Sequence, residues 1–383
     1  MVEAVQAGES QRAVARRFRV SLRQVQWWVK RAEGRELDTV DWADRSHRPR
    51  TTHRTPSDLE ARVLRVRREL RERSALGEYG DEAIHRALES RGTPVVPSVR
   101  TIARILTRCG ALDGRRRVRR PPPPLGWYLP DVVAKQAEID QVDAIEDLVI
   151  EGGIHVDVLT CVSLHGGLPG AWPGPTLTTK RTQEALLEHW QAFGLPTYVQ
   201  FDNDPRFTGG NRYPDILGRL VRMCLSLEVT PVFAPPYESG FQAAIESLNA
   251  RWQAKVWQRF HHDSPGALRW RSTRYTTAYR LRLATRIEAA PTRRSFPARW
   301  QSGAACEPRG RIVYLRRADP QGIVQLLGHA IPVSPNWPHR LVRCELAVST
   351  GLLMIYALRR RDPTDQPLLR TIQTRWRLRW ARG

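Results

Sequence analysis

The sequence predicts a multidomain chain: all-α helix-turn-helix units at the N-terminus, a central α/β core on a mixed sheet, and a small β-barrel at the C-terminus. Three observations carry this. Amphipathic helical stripes dominate residues 1–112. Short apolar strands alternate with helices over 136–262. From residue 311 short strands and turns take over. At 383 residues the chain has room for two or three domains and at least one sizeable core.

Lys and Arg number 61 against 39 Asp and Glu, a net charge of +22. That balance points to a polyanion, and double-stranded DNA is the partner expected. A membrane surface fits less well, because no long basic helix has a continuous apolar face. No membrane span is expected either, since no run of 18 apolar residues occurs. The start MVEAVQAGES lacks the charged-then-apolar layout of a signal peptide, so a cytoplasmic, nucleoid-associated protein is expected. Cys109, Cys161, Cys224, Cys306 and Cys344 form no C-x-x-C pair, which argues against a zinc knuckle or a disulfide framework. Buried free thiols are expected.

Residues 1–34 read as a helix-turn-helix. Ser21 is a good N-cap, and Leu22, Val25 and Val29 then recur as one buried stripe. The outer face carries Arg23, Gln24, Gln26, Trp27 and Lys30, and Arg and Gln can read guanine and adenine edges. A solvated face on a helical bundle would look alike. The turn Phe18-Arg19-Val20-Ser21 lacks the glycine that would ease a left-handed residue. Residues 35–57, polar with Pro49 and Pro56, read as a linker. Residues 58–112 repeat the helical theme as a second helix-turn-helix or winged-helix-like domain. Its last helix is capped by Ser98, ends at Gly110 and turns Arg100, Thr101 and Arg104 outward.

A basic Pro-rich linker, 113–135, holds GRRRVRRPPPPLG, with Arg115, Arg116 and Arg117 able to follow phosphates or simply be solvated. Within 136–262, two apolar strands and a Pro-broken edge strand precede a helix closed by Gly194. Then come strand TYVQFD, helix, strand EVTPVFA and the long helix FQAAIESLNARWQAKVWQRF. That order is ribonuclease H-like, a mixed sheet with helices on both faces. Residues 263–310 read as a helical, basic connector. Residues 311–383 read as the small β-barrel-like module, ending in the basic tail TIQTRWRLRW.

In such a sheet Asp202 closes the fourth strand, and Asp140 and Asp143 lie on its neighbour, the first. Glu246 sits in the last helix. Converging carboxylates repel one another and call for hard cations, Mg²⁺ or Mn²⁺, which take oxygen ligands and can clamp an in-line phosphoryl displacement. Each acid alone would pass for an exposed turn or helix residue. Strand alternation puts Gln141 and Asp143 on one face and Asp140 on the other, so only one of the two aspartates joins Asp202.

FDNDPRF, PPYESGFQAAIESLNARWQ and the Gln-x-Asp of Gln141–Asp143 together resemble the motifs of insertion-sequence transposases with a retroviral-integrase-like catalytic core, the DDE superfamily. The resemblance spans nearly the whole chain. It implies that residues 136–262 are an integrase catalytic core and that Asp143, Asp202 and Glu246 are the catalytic, metal-binding triad, with Asp140 the alternative first acid. It also implies Mg-dependent DNA cleavage and strand transfer at element ends by two-metal phosphoryl transfer, by a homo-oligomer on DNA. Two features depart from the family pattern: Asp204 stands where Gly is usual, and the 44 positions from Asp202 to Glu246 exceed the usual spacing. The extra residues are expected in the loop TGGNRYPDILGR. Two other functions compete: a catalytically dead DNA-binding remnant or repressor of a mobile element, and a nuclease that only cuts. The intact carboxylates disfavour the first, and the helix-turn-helix units disfavour a non-specific nuclease.

Overall fold

A computed structural model describes residues 1–43, 55–112, 126–209, 215–238, 240–301, 309–359, 362–376 and 378–380. Arg115, Arg116, Arg117, Cys306 and part of the loop after Thr208 lie outside them. Residues Met1–Glu60 make one compact unit and Ala61–Gly383 a second.

In the first unit, α1 (Val2–Gln6), α2 (Gln11–Arg17) and α3 (Leu22–Ala32) close over Val14, Ala15 and Val25. Ser10 and Ser21 cap α2 and α3, their hydroxyls accepting from the amides of Ala13 and Gln24. The turn between them does use a left-handed residue: Arg19 has φ 52°. A side chain there costs roughly 1–2 kcal/mol that glycine would not.

The second unit takes in α4 (Ser57–Arg73) from Ala61 onward, and this packs with α5 (Asp81–Ser90) and α6 (Val99–Arg108) around Val63, Val66, Ile84, Leu88, Ile102 and Ile105. Ser98 caps α6, accepting from Thr101 N. Past Gly126 the elements are α7 (Pro130–Val133), β1 (Ile139–Ile150), β2 (Ile154–Ser163), β3 (Pro169–Gly174), α8 (Thr179–Phe193), β4 (Tyr198–Phe201), α9 (Pro205–Thr208), β5 (Ile216–Leu217), α10 (Arg219–Ser226) and β6 (Thr230–Phe233). They are followed by α11 (Ala243–Trp252), a π turn (Gln253–Trp257), α12 (Pro265–Arg282) and α13 (Ala284–Glu288). β1, β2 and β3 pair antiparallel, while β4 joins β1 and β6 joins β4 in parallel. The resulting order β3-β2-β1-β4-β6 fits a ribonuclease H-like core.

Alternation along β1 feeds two layers. Val142 faces the cluster holding Trp190 of α8 and Leu220 of α10, and Ile145 faces the cluster with Trp252 of α11 and Leu268 of α12. Gly194, at φ 82°, ends α8. Prolines 169 and 173 blunt the β3 edge, as expected of a strand that must not recruit another.

The C-terminal strands depart from the expected barrel. They are β7 (Arg311–Arg317), β8 (Ile323–Leu326), β9 (His329–Pro332), β10 (Leu341–Ala347), β11 (Leu352–Ala357), β12 (Leu368–Gln373) and β13 (Arg379–Trp380). β7 pairs in parallel with β6, and β10, β11 and β12 follow, giving one nine-stranded sheet, while β8–β9 form a separate hairpin and β13 pairs with β5. The physical reason lies at the β6 edge: it offers unpaired backbone groups, and Phe233 stacks on Tyr314 of β7 at 5.2 Å between ring centroids. Ile312, Val342, Leu353 and Ile355 therefore join the same apolar cluster as Trp190 and Phe233 instead of closing a core of their own.

Of the cysteines, Cys161, Cys224 and Cys344 are buried free thiols, whereas Cys109 is exposed. Among the described residues, no helix is long and apolar enough to cross a membrane.

Candidate active site

Strand register sets the first two acids side by side. Asp140 lies opposite Val199 and Gln141 opposite Gln200. Continuing two residues brings Asp143 level with Asp202, just beyond the end of β4, on strands that sit about 4.8 Å apart. Glu246 is exposed in the first turn of α11.

One buried glutamine aims that helix. Gln141 Nε2 donates to Gln200 Oε1 (2.8 Å) and to Phe241 O (2.9 Å), and its Oε1 accepts from Ile245 N (3.2 Å). Tyr128 OH donates to the same Gln200 oxygen at 2.6 Å. Gln141 thereby satisfies an orphan amide in the first turn of α11 and ties β1, β4 and that turn together.

The Asp143 carboxylate accepts from Ala144 N (2.9 Å) and from Asn249 Nδ2 (2.8 Å). Asn249 is itself fixed by Thr160, whose hydroxyl donates to Asn249 Oδ1 at 2.7 Å. Burial pushes the Asp143 carboxyl up to about 6; the charges of Asp202 and Glu246 push the same way, while the Ala144 and Asn249 donors oppose. Burial also raises Asp202, with the charge of Asp204 adding to it. A groove of about 760 Å³ opens beside Asp202, lined among others by Asn203, Gln242, Tyr314 and Arg316.

Asp204 does other work. Its Oδ1 accepts from Arg206 N (2.7 Å) at the start of α9, and Arg206 Nη2 pairs with its Oδ2 at 2.5 Å. Hydrogen bonding to Arg206 holds Asp204 below the usual carboxylate range.

Asp140 faces the opposite side of β1, fully buried. Arg293 grips both its oxygens at 2.8 Å, and Trp190 Nε1 donates at 3.0 Å. Burial alone would raise this carboxyl, but Arg293 outweighs it and the net shift is downward. Ligand atoms of Asp140, Cys161 and His189 lie within 4.8 Å of one another. That trio suits a cation poorly: three N–H donors already hold Asp140, Arg293 brings a positive charge, and burial keeps the Cys161 thiol protonated by raising it strongly. Burial lowers His189 to about 4, so it is neutral at pH 7.

The charges of Asp202 and Glu246 thus both act on Asp143, whereas Asp140 is held by Arg293 and Trp190 on the other side of β1. The donor atoms of Asp143, Asp202 and Glu246 are all oxygens and their charges repel, which suits a hard cation such as Mg²⁺ or Mn²⁺. Arg23, Gln24, Gln26, Trp27 and Lys30 are all exposed on α3. On α6, Arg100 and Arg104 are exposed, whereas Thr101 is half-buried with its hydroxyl 3.0 Å from Ser98 Oγ. Sequence reasoning assigned no role to Asn249 or Thr160. The signal for Asn249 was its place three residues after Glu246, on one helical face.

No protein-family model matches the chain, and no curated protein does. Among solved structures it is similar to a chain of the simian T-cell lymphotropic virus intasome in complex with PP2A regulatory subunit B56 gamma, at 15% identity over 77% of this chain and 93% of that one (TM-score 0.35). It is also similar to the catalytic core domain of BIV integrase, at 17% identity over 37% and 81% of the two chains (TM-score 0.28). A third likeness is to the HTLV-2 integrase catalytic core domain in complex with magnesium, at 15% identity over 39% and 81% (TM-score 0.24).

Proposed function

We propose that the chain is a DNA transposase or integrase of the DDE type, a polynucleotidyl transferase acting on element ends as a homo-oligomer. The feature that best supports this is the register that sets Asp143, within β1, level with Asp202 just after β4, while the charges of Asp202 and of Glu246 in the first turn of α11 help raise Asp143 to about 6. These three acids would hold Mg²⁺ or Mn²⁺, which when bound supplies Lewis-acid stabilisation of charge developing on a phosphodiester. The chain's own part is positional. Asn249 and the Ala144 amide orient the Asp143 carboxylate, and Gln141 fixes the start of α11 that carries Glu246. The reaction is cleavage by water, then joining by the freed 3′-hydroxyl. DNA is held by the basic surface and read by α3, with Arg100 and Arg104 of α6 and the run Arg115–Arg117 as further phosphate contacts.

The test uses labelled element ends, purified full-length protein and Mg²⁺. Asp202→Ala and Glu246→Ala are each expected to abolish cleavage and joining while end binding survives. Near wild-type joining by either variant overturns the triad. Arg23→Ala or Gln24→Ala is expected to cut discrimination between element ends and random DNA by roughly 1–3 kcal/mol. Unchanged discrimination in both moves sequence reading off α3.

A further inference from the structure

A second cavity, of about 320 Å³, lies away from the carboxylates, between the end of α4, the π turn after α11 and α12. Its lining includes Arg73, Lys255, Phe260, Trp270, Arg271 and Arg274. Glu72 is the only carboxylate among the described lining residues. The positive groups beside it mostly find neutral partners. Arg259 donates to the carbonyls of Ser74 (2.6 Å), Arg71 (2.9 Å) and Glu72 (3.2 Å), closing the C-terminal end of α4. Arg271 sits 4.8 Å over the Phe260 ring, and Arg274 5.4 Å over Trp270. Among the described residues, none of Arg73, Arg259, Arg271 and Arg274 pairs with a carboxylate. Burial and the charge of Arg274 both make Arg259 less ready to hold its proton, a sign of uncompensated positive charge. Trp270 is 60% exposed, although an indole of that size gains by being covered.

We propose that this cavity is a subsite for an unpaired strand of nucleic acid, with a backbone phosphate between Arg73 and Arg274 and a base stacked on Trp270. Clustered arginines without acids fit a phosphate, and an exposed indole beside them fits a base that has left its stack. A duplex keeps its base faces to itself, so the indole selects for a single strand. Lys255 comes nine residues after Glu246 in one continuous helical run, about 13 Å along the axis at ~1.5 Å per residue. A strand reaching from the carboxylates to this cavity would span about four nucleotides at the stacked spacing of ~3.4 Å each, and fewer where it is unstacked. The inference rests on nucleic acid being the substrate and deepens that reading by naming a single-stranded flank.

The experiment measures binding of the full chain to a fluorescein-labelled 12-nucleotide single strand and to the duplex of the same sequence, by anisotropy in EDTA. Arg73→Ala/Arg274→Ala is expected to weaken single-strand binding at least tenfold, and Trp270→Ala about tenfold, with duplex binding changed less than threefold. All three side chains are exposed, so the duplex also reports that the variants fold. Equal losses on both DNAs, or no loss on either, overturn the subsite. Displacement of the single strand by millimolar AMP or inorganic phosphate alone also overturns it, pointing to a mononucleotide or free-anion site. Wild-type protein that binds neither DNA would bring down the transposase reading itself.

Discussion

Asp143 holds an ionised carboxylate at neutral pH against burial and two neighbouring acids, which lift it to about 6. A carboxyl raised above its unfolded value near 3.9 stabilises the fold fully below that value, and the contribution is lost as pH rises through about 6. Metal-free protein at pH 8 therefore carries a net cost at this residue. Asp143→Asn is expected to stabilise the metal-free chain by about 1–2 kcal/mol at pH 8, less than the full shift because one N–H acceptor is lost. The advantage should shrink at pH 5, and added Mg²⁺ should stabilise the wild type but not the variant. Thermal melts in EDTA and in Mg²⁺ check this; a variant less stable than wild type at pH 8 in EDTA would refute it. Strand alternation separated Asp140 from Asp143 without a structure, since residues three apart face opposite ways. What holds Asp140 was out of reach of any local pattern, because Arg293 lies 153 positions away and only the fold brings it there.

Helices capped by Ser21 and Ser98 were legible because the cap is a local signal, and the strands of the core were legible from apolar runs. Partner choice among strands was not. Residues 311–357 read as short apolar strands between turns, and such a run says nothing of which edge a strand will join. The structure sends β7 to β6, with Val232 opposite Val313 and Phe233 opposite Tyr314. A chain ending before Arg311 would leave the β6 edge bare and uncover Phe233, which is 1% exposed in the intact fold. Such an edge beside exposed aromatic surface is a template for aggregation. The truncated chain is expected to be insoluble or to run as soluble aggregate on size exclusion. A monodisperse, folded product would mean that the C-terminal strands are an appendage after all.

At the scale of the whole molecule, the proposed DNA binding would be governed by the +22 charge. Each phosphate neutralised releases counterions, so log affinity should fall with log salt at a slope near −0.9 per contact. With six to ten contacts, affinity is expected to drop about 10³- to 10⁵-fold between 50 and 200 mM salt. Titrations of duplex DNA at four salt concentrations check this, and a slope shallower than about −3 would mean that most of the charge lies away from the DNA.

The same molecule-wide view applies to the nine-stranded sheet. Backbone hydrogen bonds run without a break from β12 through β11, β10, β7 and β6 to β4, and Asp202 follows β4 directly. Rungs of this kind resist sliding, and the narrowest step in the series is the two residue pairs that join β6 to β7. A load applied at β12 would be borne as shear across the five ladders between it and β4. On the transposase reading, a pull at that rim would reach Asp202 only through the two-pair seam between β6 and β7.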